Sequence, residues 1–156
     1  MSIRSTELNP RVRRMIAEQD ARRKAVPVPA MTVLIVLPLP GKYLWPNSPT
    51  CPQAKRREVA EYRGRARDHV LRLMGYAQRL QGWAAATAQA TFYFRTKRFP
   101  DPDNCLAALK SVWDGLQEAG LLVNDKDMTH LPVIRRVDRD NPRVEIRVWP
   151  TEGAAQ

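Results

Sequence analysis

The residues of this 156-residue chain best suited to chemistry are acidic, and they crowd into one stretch. Asp101 and Asp103 stand two apart in the run Asp101-Pro102-Asp103-Asn104, and Lys110, Asp114, Asp125 and Asp127 follow. Asp101 is a good helix N-cap and Pro102 suits the first helical position, so a helix is expected to open here. At 100° per residue, Asp103, Lys110 and Asp114 fall within about 40° of one another, beside an apolar stripe of Leu106, Leu109, Trp113 and Leu116. Carboxylates on such a semi-buried stripe are costly unless they are paired or bind a cation. Asp101 can turn toward the same point as Asp103, and together they offer the oxygen ligands that a hard cation such as Mg2+ takes. Asp125, with Asp127 as second choice, arrives from the loop after the helix as the candidate third ligand. Lys110 lies roughly 10.5 Å along the axis from Asp103. Its long side chain is expected to lean back to stabilise phosphorane charge or orient an attacking water.

The same residues have a plainer structural reading. Asp101 would only cap the helix, Asp125 would only make a turn, and Lys110–Asp114 would be a surface i,i+4 ion pair. A lone D-x-D pair is a weak signal. It recurs by chance, in glycosyltransferases and in phosphatases of the haloacid-dehalogenase type. Those domains are larger, and the phosphatase motif continues with small residues and Gly that Asn104-Cys105 does not supply. On residue types alone, a metal site and a structural role stand level.

Charge along the chain is uneven. Residues 42–98 carry twelve basic and three acidic side chains, whereas residues 99–156 carry seven and ten, within a total net charge of +10. A polycationic middle beside an acidic cluster is what a metal-dependent enzyme acting on nucleic acid requires, with Lys and Arg holding phosphates and carboxylates holding metal. Hydrophobic residues at 44% and charged residues at 27% describe an ordinary globular domain. The longest apolar run, Val33 to Leu37, stops at Pro38, far short of the roughly 20 residues a membrane helix needs. The N-terminus has no apolar core of a secretory signal, and Cys51 and Cys105 form no motif. The expectation is a soluble protein of a reducing, cytoplasmic compartment with no membrane partner.

The elements that must position these residues follow from periodicity. Residues 1–30, ending in Val26-Pro27-Val28-Pro29, read as a flexible basic extension on a stiff linker. Met31 to Leu37 reads as a central strand. A proline-rich loop carrying Trp45, Pro46, Asn47 and Ser48 leads to a helix from Gln53 to about Leu80. Its apolar stripe is Val59, Tyr62, Ala66, Val70, Leu73, Ala77 and Leu80, and Gly64 and Gly75 are points where it would bend. Ala84 to Lys97 alternates, with Ala88, Ala90, Phe92 and Phe94 on one face, as a half-buried strand does. The helix from Asp101 is expected to end at Gly120. Strands near Leu131–Val137 and Arg143–Trp149 flank a turn at Asp138-Arg139-Asp140-Asn141-Pro142. The order β-α-β-α-β-β gives an α+β single domain over 31–150, a mixed sheet with two main helices, followed by a tail at 151–156.

The run DPDNCLAALKSVWDGLQEAGLLVNDKD, residues 101–127, resembles the signature of RusA-type Holliday-junction resolvases, particularly the phage-borne members. The shared pattern is D-x-D-N opening a helix, then Lys, then Asp-Gly-Leu, an Ala-Gly helix end and a downstream Asp. The resemblance makes Asp101, Asp103 and Asp125 the metal-binding carboxylates and Lys110 the active-site lysine. Asn104, Asp114, Gly115 and Gly120 become supporting positions, with Asp127 held as the alternative to Asp125. Pro46-Asn47-Ser48 resembles the family's loop after the first strand more faintly. Departures are the longer spacing to Lys110, Asn124-Asp125 where many members have Asp-Asp, and Pro49 with Cys51-Pro52 where Arg and His-Trp often stand.

Such a resemblance implies a homodimeric, Mg2+-dependent endonuclease, with Mn2+ able to substitute and no nucleotide cofactor. It would nick two strands symmetrically across a four-way DNA junction in a bacterial or phage-infected cell. A two-fold dimer offers two sites to a substrate of matching symmetry. Lys55, Arg56, Arg57, Arg63, Arg67, Arg95, Lys97 and Arg98, within a basic tract reaching Arg79, would hold the DNA backbone, mostly without reading bases. Two other classes remain open: a basic junction-binding protein without catalysis, and a metal nuclease acting on flaps, single strands or RNA. His69 and His130 lack ligand spacing and read as surface or packing residues. Trp83, Trp113 and Trp149 read as core anchors, and Trp45 is the one candidate for base stacking.

Overall fold

The computed structural model describes residues 31–75 and 82–151. The expected extension at 1–30, the end of the first helix around Ala77, Arg79 and Leu80, and the tail beyond Thr151 lie outside these residues. The elements are β1 (Val33–Leu37), α1 (Pro52–Met74), β2 (Ala86–Phe94), α2 (Pro102–Ala108), α3 (Lys110–Glu118), β3 (Met128–His130), β4 (Ile134–Val137) and β5 (Arg143–Pro150). Short 3-10 turns occupy Lys42–Leu44 and Asp125–Asp127. The result is the α+β fold expected, a mixed five-stranded sheet with its helices.

β2 is the organising strand. Its residues alternate without exception between buried and half-buried, so Ala86, Ala88, Ala90, Phe92 and Phe94 all enter the core. One edge of β2 pairs antiparallel with β5, which pairs antiparallel with β1. The other edge carries β3 and then β4, both parallel to β2. The register slips by one residue between Ala88↔His130 and Thr91↔Ile134, so β3 and β4 are one edge strand interrupted at Leu131-Pro132-Val133. Pro132 has no N–H to give the ladder. β1, β2, β3 and β4 therefore run the same way and only β5 runs against them.

β1 lies at the edge of the sheet, not at its centre. Its apolar run suggested burial on both faces, yet only Ile35 and Leu37 enter the core, while Leu34 and Val36 stay 43% and 39% exposed. β4 and β5 flank the expected turn but do not pair with each other, because β2 stands between them. β3 was not expected at all.

α1 is continuous across Gly64 and buries Tyr62, Ala66 and Val70 at helical spacing. Leu73, assigned to the same stripe, is exposed. α1 crosses α3 at Gly115, where an added Cβ would lie 2.5 Å from the Arg63 carbonyl oxygen. The expected helix from Asp101 to Gly120 is two helices. At Leu109 (φ −93°, ψ 1°) the backbone tightens, with Leu109 N–H bonded to the Leu106 carbonyl and Val112 N–H to that of Leu109. Gly120 then ends α3 with φ +80°, as expected of a glycine terminator.

Candidate functional site

Because β1, β2 and the interrupted β3–β4 edge run parallel, their carboxyl ends at Leu37, Phe94 and Val137 lie at one end of the sheet, and the segments leaving them start there. From β1 comes the loop to α1, fixed by three hydrogen bonds. The Tyr62 hydroxyl donates to the Pro38 carbonyl at 2.8 Å, the Tyr43 N–H to Glu58 at 2.8 Å, and Trp45 Nε1–H to the Pro40 carbonyl at 3.2 Å. The Trp45 ring rests 6.2 Å from Phe92 and 6.4 Å from Phe94. Trp45 is thus a packing residue, not a free stacking platform. From β2 comes the basic loop 95–100. Phe99 packs 5.6 Å from Phe94, and Pro100 leads into Asp101.

Asp101 and Asp103 open α2 at this end. Asp101 is the N-cap residue, but its side chain makes no capping hydrogen bond. The backbone beneath it is fixed instead by Arg135, whose Nη1 donates to the Pro100 carbonyl at 2.9 Å while its guanidinium lies 5.7 Å from the Phe99 ring centre. Cys105, fully buried under this turn, has its thiol pushed up to about 11, chiefly by burial. Arg135 and Asp101 both act on that thiol in opposite directions, which places a cation and a carboxylate around one buried sulfur. Sequence reasoning missed Arg135. Its only signal is a basic residue in β4, and nothing local ties it to residue 101.

The acidic side chains of the described residues divide sharply. Glu58, Glu61, Asp68, Glu118, Asp138 and Glu145 each take a hydrogen bond or ion pair from the chain. Asp101, Asp103, Asp114, Asp125, Asp127 and Asp140 have no side-chain partner among the described residues. Five of those six are the residues between 101 and 127 that the sequence singled out. Their side chains take none of the pairings open to them, although Asp125 opens a 3-10 turn with its backbone. Asp101 does not cap, and no Lys110–Asp114 pair forms. The turn at Asp125–Asp127 is capped by Asn124, whose Oδ1 accepts from the Lys126 N–H at 3.1 Å.

The chain does not bring all of them together. Asp101 and Asp103 lie at the carboxyl end of β2, while Leu122 bridges to Trp83 and Met128 pairs with Ala86, so Asp125 and Asp127 lie at its amino end. Two measures of the separation agree. The strand from Ala86 to Phe94 rises about 26 Å at 3.3 Å per residue. The helical path from Asp101 to Glu118 rises about 25 Å at 1.5 Å per residue. No carboxylate side chain spans such a gap. The expectation that Asp125 or Asp127 completes a site with Asp101 and Asp103 within one chain is therefore corrected. Among the described residues no three His, Cys, Asp or Glu side chains form a metal-binding group. The expected Asp103–Lys110–Asp114 stripe is also corrected. The stripe is not semi-buried as expected, since Asp103 and Lys110 are exposed and only Asp114 is half-buried. Asn104 is half-buried in the first turn of α2.

Basic residues surround the carboxyl end. Lys55, Arg56 and Arg57 are exposed in the first turns of α1, which begins at this end, and Lys97 and Arg98 are exposed in the loop before Asp101. None of the five donates a side-chain hydrogen bond or forms an ion pair among the described residues. Arg95, also exposed there, reaches the Arg139 carbonyl at 3.4 Å. Arg63 and Arg67 have a different occupation. Arg63 pairs with Glu118 at 3.3 Å and Arg67 with Asp68 at 2.9 Å and Glu118 at 3.9 Å, tying α1 to α3. His130 lies 4.8 Å from the Trp113 ring, and desolvation pushes its pKa below the usual 6.5. No described helix is long and apolar enough to cross a membrane. No protein-family model matches the chain, and no curated protein matches it either.

Proposed function

We propose that this protein is a divalent-metal-dependent endonuclease of the RusA type that nicks branched DNA, a four-way junction being its preferred substrate. The observation that carries the reading is the pair Asp101 and Asp103. They are unpaired in a chain of net charge +10, next to unpaired Lys97 and Arg98 and at the sheet end where α1 presents Lys55, Arg56 and Arg57. Both are exposed and take no partner from the chain despite its excess of cations, so their oxygens are open to a ligand. Their hard oxygen donors suit Mg2+ or Mn2+. The third carboxylate of the resemblance, Asp125, does not reach them within one chain, so the single chain fits the metal only in part. When bound, the ion would activate water and polarise the scissile phosphate.

The chain's own residues supply the rest of the reading. Lys55, Arg56, Arg57, Lys97 and Arg98 hold backbone phosphates by charge without reading bases. Arg135 fixes the backbone on which Asp101 stands. Lys110, exposed and unpaired in the first turn of α3, is available to a phosphate.

The test is incubation of the purified protein with a synthetic four-way junction and a matching linear duplex, with and without Mg2+, beside Asp103→Asn. Paired symmetric nicks in the junction alone, lost without metal and lost in the variant, are expected. Tight junction binding without cleavage in any metal would make this a binding protein and overturn the nuclease. Cleavage of flaps, single strands or RNA in preference would keep the site and overturn the substrate.

A further inference from the structure

The sheet keeps its helices on one face. Ile146 and the alternate residues of β2 from Ala86 to Phe94 join the helices in the core, so Gln89, Thr91 and Tyr93 point the other way, where no described helix packs. Trp149, buried beside Thr87, closes the amino end of that face. The open part runs from Gln89, level with Arg147 of β5, to Tyr93, level with Arg136 of β4 on one side and Arg143 of β5 on the other. Arg95 continues the alternation, and its Nη1 reaches the Arg139 carbonyl in the turn that crosses the end of β2. Arg143 shows what a structural arginine does here. It lies 3.9 Å over the Tyr93 ring and takes both nearby carboxylates, Asp138 and Glu145, each at 2.7 Å. Arg136, Arg139 and Arg147 are exposed and reach no carboxylate among the described residues, and with Arg95 they leave four free cations near the single unpaired acid Asp140. All four are arginines, whose planar fork fits phosphate oxygens two at a time. From Gln89 to Arg95 the strand direction covers about 20 Å, roughly six steps of a duplex at 3.4 Å each. The centre of this face is polar, unlike the apolar surface that a second protein layer needs.

We infer that the helix-free face of the sheet, through Arg95, Arg136, Arg139 and Arg147, holds the backbone of a second arm of branched DNA, beside the arm held by Lys55, Arg56, Arg57, Lys97 and Arg98. The inference rests on the nuclease reading for DNA as the partner, whereas the face itself follows from the strand register. The segment from Arg95 to Arg98 joins the two cationic surfaces. Arg95 belongs to the helix-free face, and Lys97 and Arg98 lead to Asp101, so an arm on this face leaves it at the end where Asp101 and Asp103 stand. A linear duplex has one axis and lies along one surface. A junction has diverging arms and engages both surfaces at once, which multiplies its affinity without any added base contact. Preference for branched over linear DNA then comes from where the cations stand, not from sequence reading.

Salt titrations in EDTA, where nothing is cut, compare binding to a synthetic four-way junction and to a linear duplex of the same sequence. The wild type is set beside the double variant Arg136→Gln/Arg147→Gln, with circular dichroism checking that it is folded. The double variant should bind the junction about ten-fold more weakly at physiological ionic strength, with a slope against salt lower by about two, and should bind the duplex within about two-fold of wild type. Arg139→Gln lies in the turn, outside all strand pairing, and should lower the junction slope by about one. Arg57→Gln, on α1, should weaken both substrates alike. An unchanged junction slope, or an equal loss on the linear duplex, would overturn the inference. Phosphatidylserine vesicles test the other anionic surface: wild-type binding to them that the double variant loses, with its junction slope unchanged, would give the face to lipid headgroups and overturn it too. The two readings fail separately. Junction cleavage by a wild type whose double variant binds both DNAs normally would sink the second arm and spare the nuclease. A junction-selective loss in the double variant, with no DNA cut by the wild type in any metal, would do the reverse.

Discussion

Two glycines in the helical layer should respond oppositely to the same substitution. Gly115 lies where α3 crosses α1, and a Cβ there would meet the Arg63 carbonyl oxygen at 2.5 Å, the Ala66 Cβ at 3.1 Å and the Arg67 amide nitrogen at 3.2 Å. Two of these atoms are backbone and cannot rotate away, so the helices must move apart by several tenths of an ångström. Overpacking of this kind costs about 1–3 kcal/mol. Gly→Ala inside a helix returns about 1 kcal/mol through propensity. Gly115→Ala should therefore destabilise the domain by up to about 2 kcal/mol, as the crowding outweighs the propensity gain. Gly64 sits in α1 with nothing within 4 Å of an added Cβ, so only the propensity term survives. Gly64→Ala should stabilise the domain by up to about 1 kcal/mol. Urea unfolding followed by tryptophan fluorescence reads both. With a slope of about 2 kcal/mol per molar, the Gly115→Ala midpoint should fall by up to about 1 M while the Gly64→Ala midpoint rises. Equal shifts in the same direction would show that α1 and α3 do not cross at Gly115.

Other outcomes follow from the same geometry. The logarithm of the junction-binding constant should fall steeply with the logarithm of salt concentration, and Lys55, Arg56 and Arg57 changed to Gln should each reduce that slope by about one. Arg63→Gln and Arg67→Gln should leave the slope nearly unchanged and lower the unfolding midpoint instead, because both pair with Glu118; a slope reduced as much as by Arg57→Gln would contradict this. Asp138 is held below its ordinary 3.8, first by the hydrogen bond from Arg143. A carboxyl depressed in the folded state contributes stability that is full above its unfolded pKa and is lost as pH falls through the folded value. The wild type should thus lose stability more steeply as pH falls below about 4 than its other carboxylates alone would require, and Arg143→Gln should lower the plateau and flatten that limb; an unchanged acid limb would show that the pair does not persist in solution. A thiol reagent at mildly alkaline pH should modify exposed Cys51 quickly and Cys105 only on unfolding, since Cys105 is buried with its pKa pushed up to about 11.

What could be read from the sequence was what is decided locally. β2 was legible because its alternation has one period and one buried face, and Gly120 because a left-handed residue after an apolar stripe needs a glycine. The Asp101–Asp103 pair was legible for the same reason: two residues apart at a helix start, they have nowhere to be but together. β1 misled because an apolar run does not record how many of its faces are covered, and Leu34 and Val36 are apolar without being buried. β3 left no pattern, since three residues are held by pairing to Ala86–Ala88 and not by their own types. The break at Leu109 left none either, because Leu106, Leu109, Trp113 and Leu116 keep the same spacing across it.

The third carboxylate is the instructive miss, because the information was present in the sequence. A continuous helix from Asp101 to Gly120, the one the sequence predicts, would carry its two ends roughly 28 Å apart. Residues immediately before and immediately after it cannot then meet unless the loop returns the full length of the helix, and five residues from Gly120 to Asp125 do not do so. The parallel pairing of β3 with β2 leads to the same conclusion from the other side, because a parallel neighbour begins where its partner begins. A motif with acids on both flanks of one helix is thus a statement about two ends of a molecule.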